Sequence, residues 1–110
     1  MKTFSLLALV ALTLVGCGTE DTTDTSSALR ISDIAALTGD ATAGLAVYET
    51  NCTSCHGVDA AGGSAPGLAG INTSIDDQID ITLNGLGTMS GYDFLTDQEI
   101  ADVIAYTSSL

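Results

Sequence analysis

The chain has 110 residues, with 14 Asp and Glu against two Lys and Arg, a formal net charge of −12 at pH 7, one His, three Cys and no Trp. That length accommodates one ordinary domain. So acidic a balance excludes a nucleic-acid-binding surface and an electrostatic grip on anionic lipid, both of which need clustered Lys and Arg. Any ionic partner is expected to be basic.

Residues 1–16 read as a secretory signal. Met1-Lys2-Thr3 gives a positive start, and Phe4 to Val15 is an almost wholly apolar run ending at Gly16-Cys17-Gly18. The run is too short to span a membrane, which takes roughly 20 apolar residues. Leu14-Val15-Gly16-Cys17 resembles the bacterial lipoprotein signal, in which the Cys is lipidated and becomes the new N-terminus. The competing readings, an ordinary cleaved signal with an incidental Cys or an uncleaved anchor, give no reason for Cys17 to abut the apolar run. Several acyl chains on one Cys would hold the protein stably on a bilayer. The expectation is therefore an exported, membrane-anchored lipoprotein at the periplasmic or other extracytoplasmic face.

Residues 17–38 are expected to be the lipidated N-terminus and a flexible acidic linker. The stretch from Thr19 to Thr38 is rich in Thr, Ser and Asp and has no aromatic residue. Ile31, Ile34 and Leu37 stand at helical spacing, but one such stripe predicts only a peripheral turn that frays. A flexible tether of that length has a root-mean-square reach of roughly 25 Å.

Residues 39–110 form the remaining domain, close to the size, about 70–80 residues, at which a core alone gives marginal stability and a staple is usual. Cys52 and Cys55 are too near in sequence for a disulfide to supply it. Cys52-Thr53-Ser54-Cys55-His56 is instead the C-x-x-C-H pattern of covalent c-type haem attachment. Two thiols add across vinyl groups on one side of the porphyrin, and the next residue is carried under the iron to ligate it. A thioredoxin-like redox pair would want a preceding strand, and none is read there. A zinc site would want another Cys or His ligand, and His56 is the only histidine.

Once the signal is removed, Met89 is the only methionine, in the Gly-rich stretch Gly85-Leu86-Gly87-Thr88-Met89-Ser90-Gly91. Such a Met suits a loop approaching a flat ring better than a helix core. His56 and Met89 are expected to be the axial iron ligands, a thioether favouring the ferrous state. Three helices are predicted around this centre. Asp40 caps the first, which runs to about Asn51 with Gly44 and Tyr48 on one face. Ser74-x-x-Asp77 opens the second, with Ile75, Ile79 and Leu83 as its apolar stripe and Gly85 as its terminator. Thr96-x-x-Glu99 is a capping box for the last, whose stripe is Ile100, Val103, Ile104 and Tyr106. Gly57 to Asn72 is irregular and holds Pro66, the only proline.

Residues 39–110 thus resemble the small monohaem class I cytochromes c of bacteria, especially the membrane-tethered lipoprotein type. Gly44-x-x-x-Tyr48, Cys52 to Gly57, Ala65-Pro66-Gly67-Leu68, Leu83-Asn84-Gly85-x-Gly87-x-Met89 and Val103-x-x-Tyr106 carry the resemblance. It implies an all-α class I cytochrome c fold, three main helices around one covalently bound haem c and its iron. Further, it implies that Gly44 and Tyr48 cross Val103 and Tyr106, that the Pro66 carbonyl accepts the His56 N–H, and that Leu68 lines the haem pocket. Ser90 departs from the pattern, since relatives usually have Pro directly after the axial Met; this predicts a looser ligand loop. The usual ring of docking lysines is absent as well.

The expected function is a one-electron carrier in a respiratory or related electron-transfer chain, not an enzyme. Its partners would be a redox donor and acceptor carrying a basic docking patch, and the acidic surface would otherwise be a solvated face or an adaptation to salt. Two alternatives differ in class. One is a gas- or peroxide-binding haem protein in which Met89 does not bind; the other is a redox subunit of a larger oxidoreductase.

Overall fold

The computed structural model describes residues 22–110, so the signal segment and Cys17 lie outside it. Five α-helices follow in chain order, α1 Thr22–Ala35, α2 Ala41–Asn51, α3 Thr53–His56, α4 Ile75–Asn84 and α5 Asp97–Ser108, with one 3₁₀ turn over Val58–Ala60. No strand occurs among the described residues. The architecture is all-α, as the sequence predicts.

The helix starts follow local chemistry. Asp40 accepts from the backbone N–H groups of Thr42 and Ala43 at 2.9 and 3.3 Å, Ser74 Oγ accepts from Asp77 N at 3.2 Å, and Thr96 with Glu99 completes a reciprocal capping box. Each satisfies donors that a helix N-terminus leaves without intrahelical partners. The last helix is the spine of the domain. Ile100, Val103, Ile104 and Tyr106 are buried in it, and with Tyr48, Ile79, Leu83 and Leu95 they form the core.

Helix α2 crosses α5, and the crossing depends on Gly44. A Cβ there would overlap the backbone carbonyl of Asp102 and come within 3.0 Å of the Tyr106 Cβ. The absence of a side chain is what lets the two backbones touch. Tyr48 then packs on Tyr106 with ring centroids 5.2 Å apart and planes tilted by 55°, a favourable aromatic geometry. Buried Asp102 ties the same corner, its Oδ1 accepting from Asp40 N and Gln98 Nε2, both at 2.8 Å. On helix α4 the apolar stripe is narrower than its spacing predicts: Ile79 and Leu83 are buried, whereas Ile75 in the first turn is exposed.

The flexible linker expected over residues 17–38 is corrected from residue 22 onwards. Thr22–Ala35 is a 14-residue helix packed against α4 and α5. Ile34 is 1% exposed, and Ile31 packs partly buried on the same core. Arg30 reaches across to the α5 entrance, where Nε donates to Asp97 Oδ1 at 2.8 Å and the terminal nitrogens donate to the carbonyls of Asp93 at 3.2 Å and Leu95 at 2.9 Å. The connection onward is also held, for Gln98 Nε2 donates to Thr38 O at 3.0 Å. A helix of this length is marginal by itself. Burying one isoleucine contributes about 1.5–3 kcal/mol, and the charge-assisted grip of Arg30 adds to it.

Candidate functional site

Cys52 closes α2 and opens α3, so the motif sits on a helical turn. Its carbonyl accepts from Cys55 N at 3.2 Å and His56 N at 3.0 Å. Residues three apart on such a turn are neighbours. Both are free thiols, Cys52 half-buried and Cys55 exposed. Burial, and after it the nearby Cys55, pushes the Cys52 thiol up from its usual pKa.

His56 is nearly buried, and its Nδ1 lies 2.7 Å from the carbonyl of Pro66. A carbonyl only accepts, so this contact fixes the proton on Nδ1 and leaves the Nε2 lone pair for a ligand. Pro66 is held there by a closed net of backbone bonds. Gly62 N donates to His56 O at 2.7 Å, Ala65 N to Cys55 O at 2.9 Å, Gly63 N to Ala65 O at 3.0 Å, and Leu68 N to Ala60 O at 2.8 Å. Leu68 is thereby placed partly buried against the core.

This cage requires unusual backbone. Gly57 has φ +81° and ψ 169°, and a Cβ there would overlap the Gly62 carbonyl; only glycine adopts that region at little cost. Asp59 and Ala60 stand at φ 54° and 52°, a left-handed conformation that Asp tolerates and Ala rarely adopts. The cage also uses Tyr48, whose hydroxyl donates to Gly57 O at 2.7 Å. No spacing in the sequence announces that bond, since Tyr48 reads simply as a helix-face residue.

Met89 lies on a separate loop, partly buried, in a tight turn where Leu86 and Met89 exchange backbone bonds of 3.1 and 3.0 Å. One end of the loop is the α4 terminus, with Gly85 N donating to Ile81 O at 2.8 Å. The other is Tyr92, with N donating to Thr82 O at 2.7 Å and the hydroxyl to Asn51 O at 3.1 Å. Cys52, Cys55, His56, Pro66 and Leu68 thus share one bonded unit, and Met89 joins it through Tyr92 and Asn51. Cys17 is outside the described residues. Among those residues no three His, Cys, Asp or Glu gather as a metal cage.

A helical domain presenting a C-x-x-C-H turn, with two free thiols and an imidazole held by a carbonyl so that Nε2 can ligate, is that of a c-type haem protein, and this donor set fits the group. Residues 39–106 match the family described as cytochrome c oxidase, cbb3-type, subunit III. The chain is also 33% identical over 82 residues to a cytochrome c-553-like protein of Synechocystis sp., covering 73% of this chain and 78% of that one. No solved structure matches. The chain belongs to the cytochrome c family: it is a small monohaem class I c-type cytochrome, with haem c covalently bound and iron as its metal. Helix α1 precedes the matched region and packs onto it.

Proposed function

We propose that this protein is an exported, membrane-anchored one-electron carrier whose haem is attached through Cys52 and Cys55 and whose iron is ligated by His56 and Met89. The haem supplies reversible Fe(III)/Fe(II) chemistry when bound. The observation that carries the reading is the 2.7 Å contact of His56 Nδ1 with Pro66 O, which orients the imidazole with Nε2 as the ligand nitrogen. Pro66 acts as its orienting acceptor, and Leu68 supplies apolar lining. Met89, on a turn fastened at both ends, is the sixth ligand. A thioether there raises the reduction potential relative to an open site.

The test is spectroscopic. The haem-loaded protein is expected to show a sulfur-to-iron charge-transfer band when oxidised and no rapid CO binding when reduced. Met89→Ala should abolish the band and lower the potential in a redox titration. Rapid CO binding by the unaltered protein would instead support a gas- or peroxide-binding protein.

Lipidation at Cys17 supplies the anchor. No described helix is long and apolar enough to cross a membrane. Because helix α1 starts at Thr22, residues 18–21 alone join Cys17 to the folded body, and the five backbone steps from Cys17 to Thr22 span at most about 18 Å. The domain then sits close to the bilayer and does not swing on a long tether. Loss of membrane association in Cys17→Ser, read by fractionation, checks this.

Docking follows from charge. Arg30, the only Lys or Arg among the described residues, is bonded within the fold, whereas Asp33, Glu49, Asp59, Asp76, Asp77, Asp80 and Asp93 are exposed. A donor or acceptor with a basic patch is favoured, with electron-transfer rates that fall as salt rises. Rates independent of ionic strength would remove the docking proposal. The description of the matched family favours a second reading, a redox subunit of a larger oxidase, which co-purification after mild detergent extraction would reveal.

A further inference from the structure

The turn that carries Met89 has little to hold it from within. Leu86 at its start is 66% exposed, and the two reciprocal bonds of the turn are internal to it. Where the turn sits is therefore decided at its ends, Gly85 and Tyr92. The Gly85 end is continuous with helix α4. At the Tyr92 end, the backbone N–H returns to Thr82, the ring packs partly buried on the core, and the hydroxyl crosses to Asn51 O. Asn51 is the last residue of α2 and directly precedes Cys52. Its carbonyl is one of those that a helix C-terminus leaves without an intrahelical donor. The Tyr92 hydroxyl supplies that donor, and the bond satisfies the helix end while tying the methionine loop to the attachment segment.

We infer that Tyr92 is the positioning residue for Met89: its hydroxyl is a strut from Asn51 that keeps the methionine turn on the haem side, compensating for Ser90 where a stiffening proline would otherwise stand. The inference rests on the proposed ligation by Met89. The strut sets how often the Met89 turn swings away. Phenylalanine at position 92 keeps the ring and its packing but removes the donor, leaving the Asn51 carbonyl without its partner. Losing one such bond shifts a local equilibrium by about three- to ten-fold. An external ligand that needs the turn open binds more tightly by the same factor.

The test titrates the oxidised, haem-loaded full chain with imidazole and follows the sulfur-to-iron band. Tyr92→Phe should bind imidazole about three- to ten-fold more tightly than the unaltered protein. Asp40→Ala, which removes the cap at the far end of α2, serves as the control for general destabilisation; it should lower the thermal midpoint without changing imidazole affinity. Equal imidazole affinity in Tyr92→Phe and the unaltered protein would overturn the strut while leaving Met89 as ligand. A tightening in Asp40→Ala as large as that in Tyr92→Phe would overturn it too. A sulfur-to-iron band absent from the unaltered protein would remove the ligation itself and the strut with it.

Discussion

The two irregular segments of the site, Cys52 to Leu68 and Gly85 to Tyr92, are held in different ways. The first is closed by backbone bonds among Cys55, His56, Ala60, Gly62, Ala65 and Leu68 and by the Tyr48 hydroxyl on Gly57 O. It holds strained residues because its surroundings over-determine them. The second has one reciprocal turn and is fixed mainly at its ends, by Gly85, by Tyr92, and just beyond by Arg30 on the carbonyls of Asp93 and Leu95. The first segment is built to stay in place and the second to be adjustable, so under the proposed ligation the Met89 side is where coordination should yield first.

The strongest way to break that difference is to damage the first segment. Gly57→Ala places a Cβ on the Gly62 carbonyl in a backbone region essentially closed to alanine. It should cost about 3 kcal/mol of stability or prevent haem loading, measured by thermal unfolding and by the haemochrome spectrum. Gly91→Ala probes the second segment, where a Cβ would overlap the Leu83 carbonyl. A cost of about 2 kcal/mol is expected, because a loop fixed at its ends can give way. Its mark should be loss of the sulfur-to-iron band before loss of helical signal on heating.

Arg30→Ala sharpens the comparison further. It removes a part-buried ion pair and two backbone contacts, so a loss of about 1 kcal/mol is expected. Hydrogen exchange should rise in α1 and over residues 93–97 while the amides of residues 55–68 stay protected. The smallest effect is alkaline. Burial above all, with neighbouring negative charge, raises Tyr48 above its usual 10.0, and burial with Asp59 raises Tyr106. Their contribution to stability is full below pH 10 and is lost as pH rises through the raised values. Tyr48→Phe should flatten part of that alkaline fall in the unfolding midpoint.

Much of the fold was legible because its signals are local. Asp40, Ser74 and Thr96 mark three helix starts by side-chain chemistry that acts within three residues, and the α5 stripe is buried as its spacing predicts. The C-x-x-C-H pentad is local as well. Helix α1 was not legible, since a Thr- and Ser-rich segment with one Ile stripe has the composition of a tether. Its helix depends on Ile34 meeting a core built from residues far along the chain, and on Arg30 finding Asp97. The role of Tyr92 was hidden for the same reason, its acceptor lying 41 residues earlier.

The sequence by itself determined the class of protein: two thiols and an imidazole within five residues, and three capped helices to enclose what they bind. The Pro66 carbonyl stands on His56 as the family resemblance implies, whereas tertiary structure alone decided where the folded body begins and what fastens the methionine turn. Those features rest on contacts between segments distant in the chain, and such contacts exist only once the helices have packed.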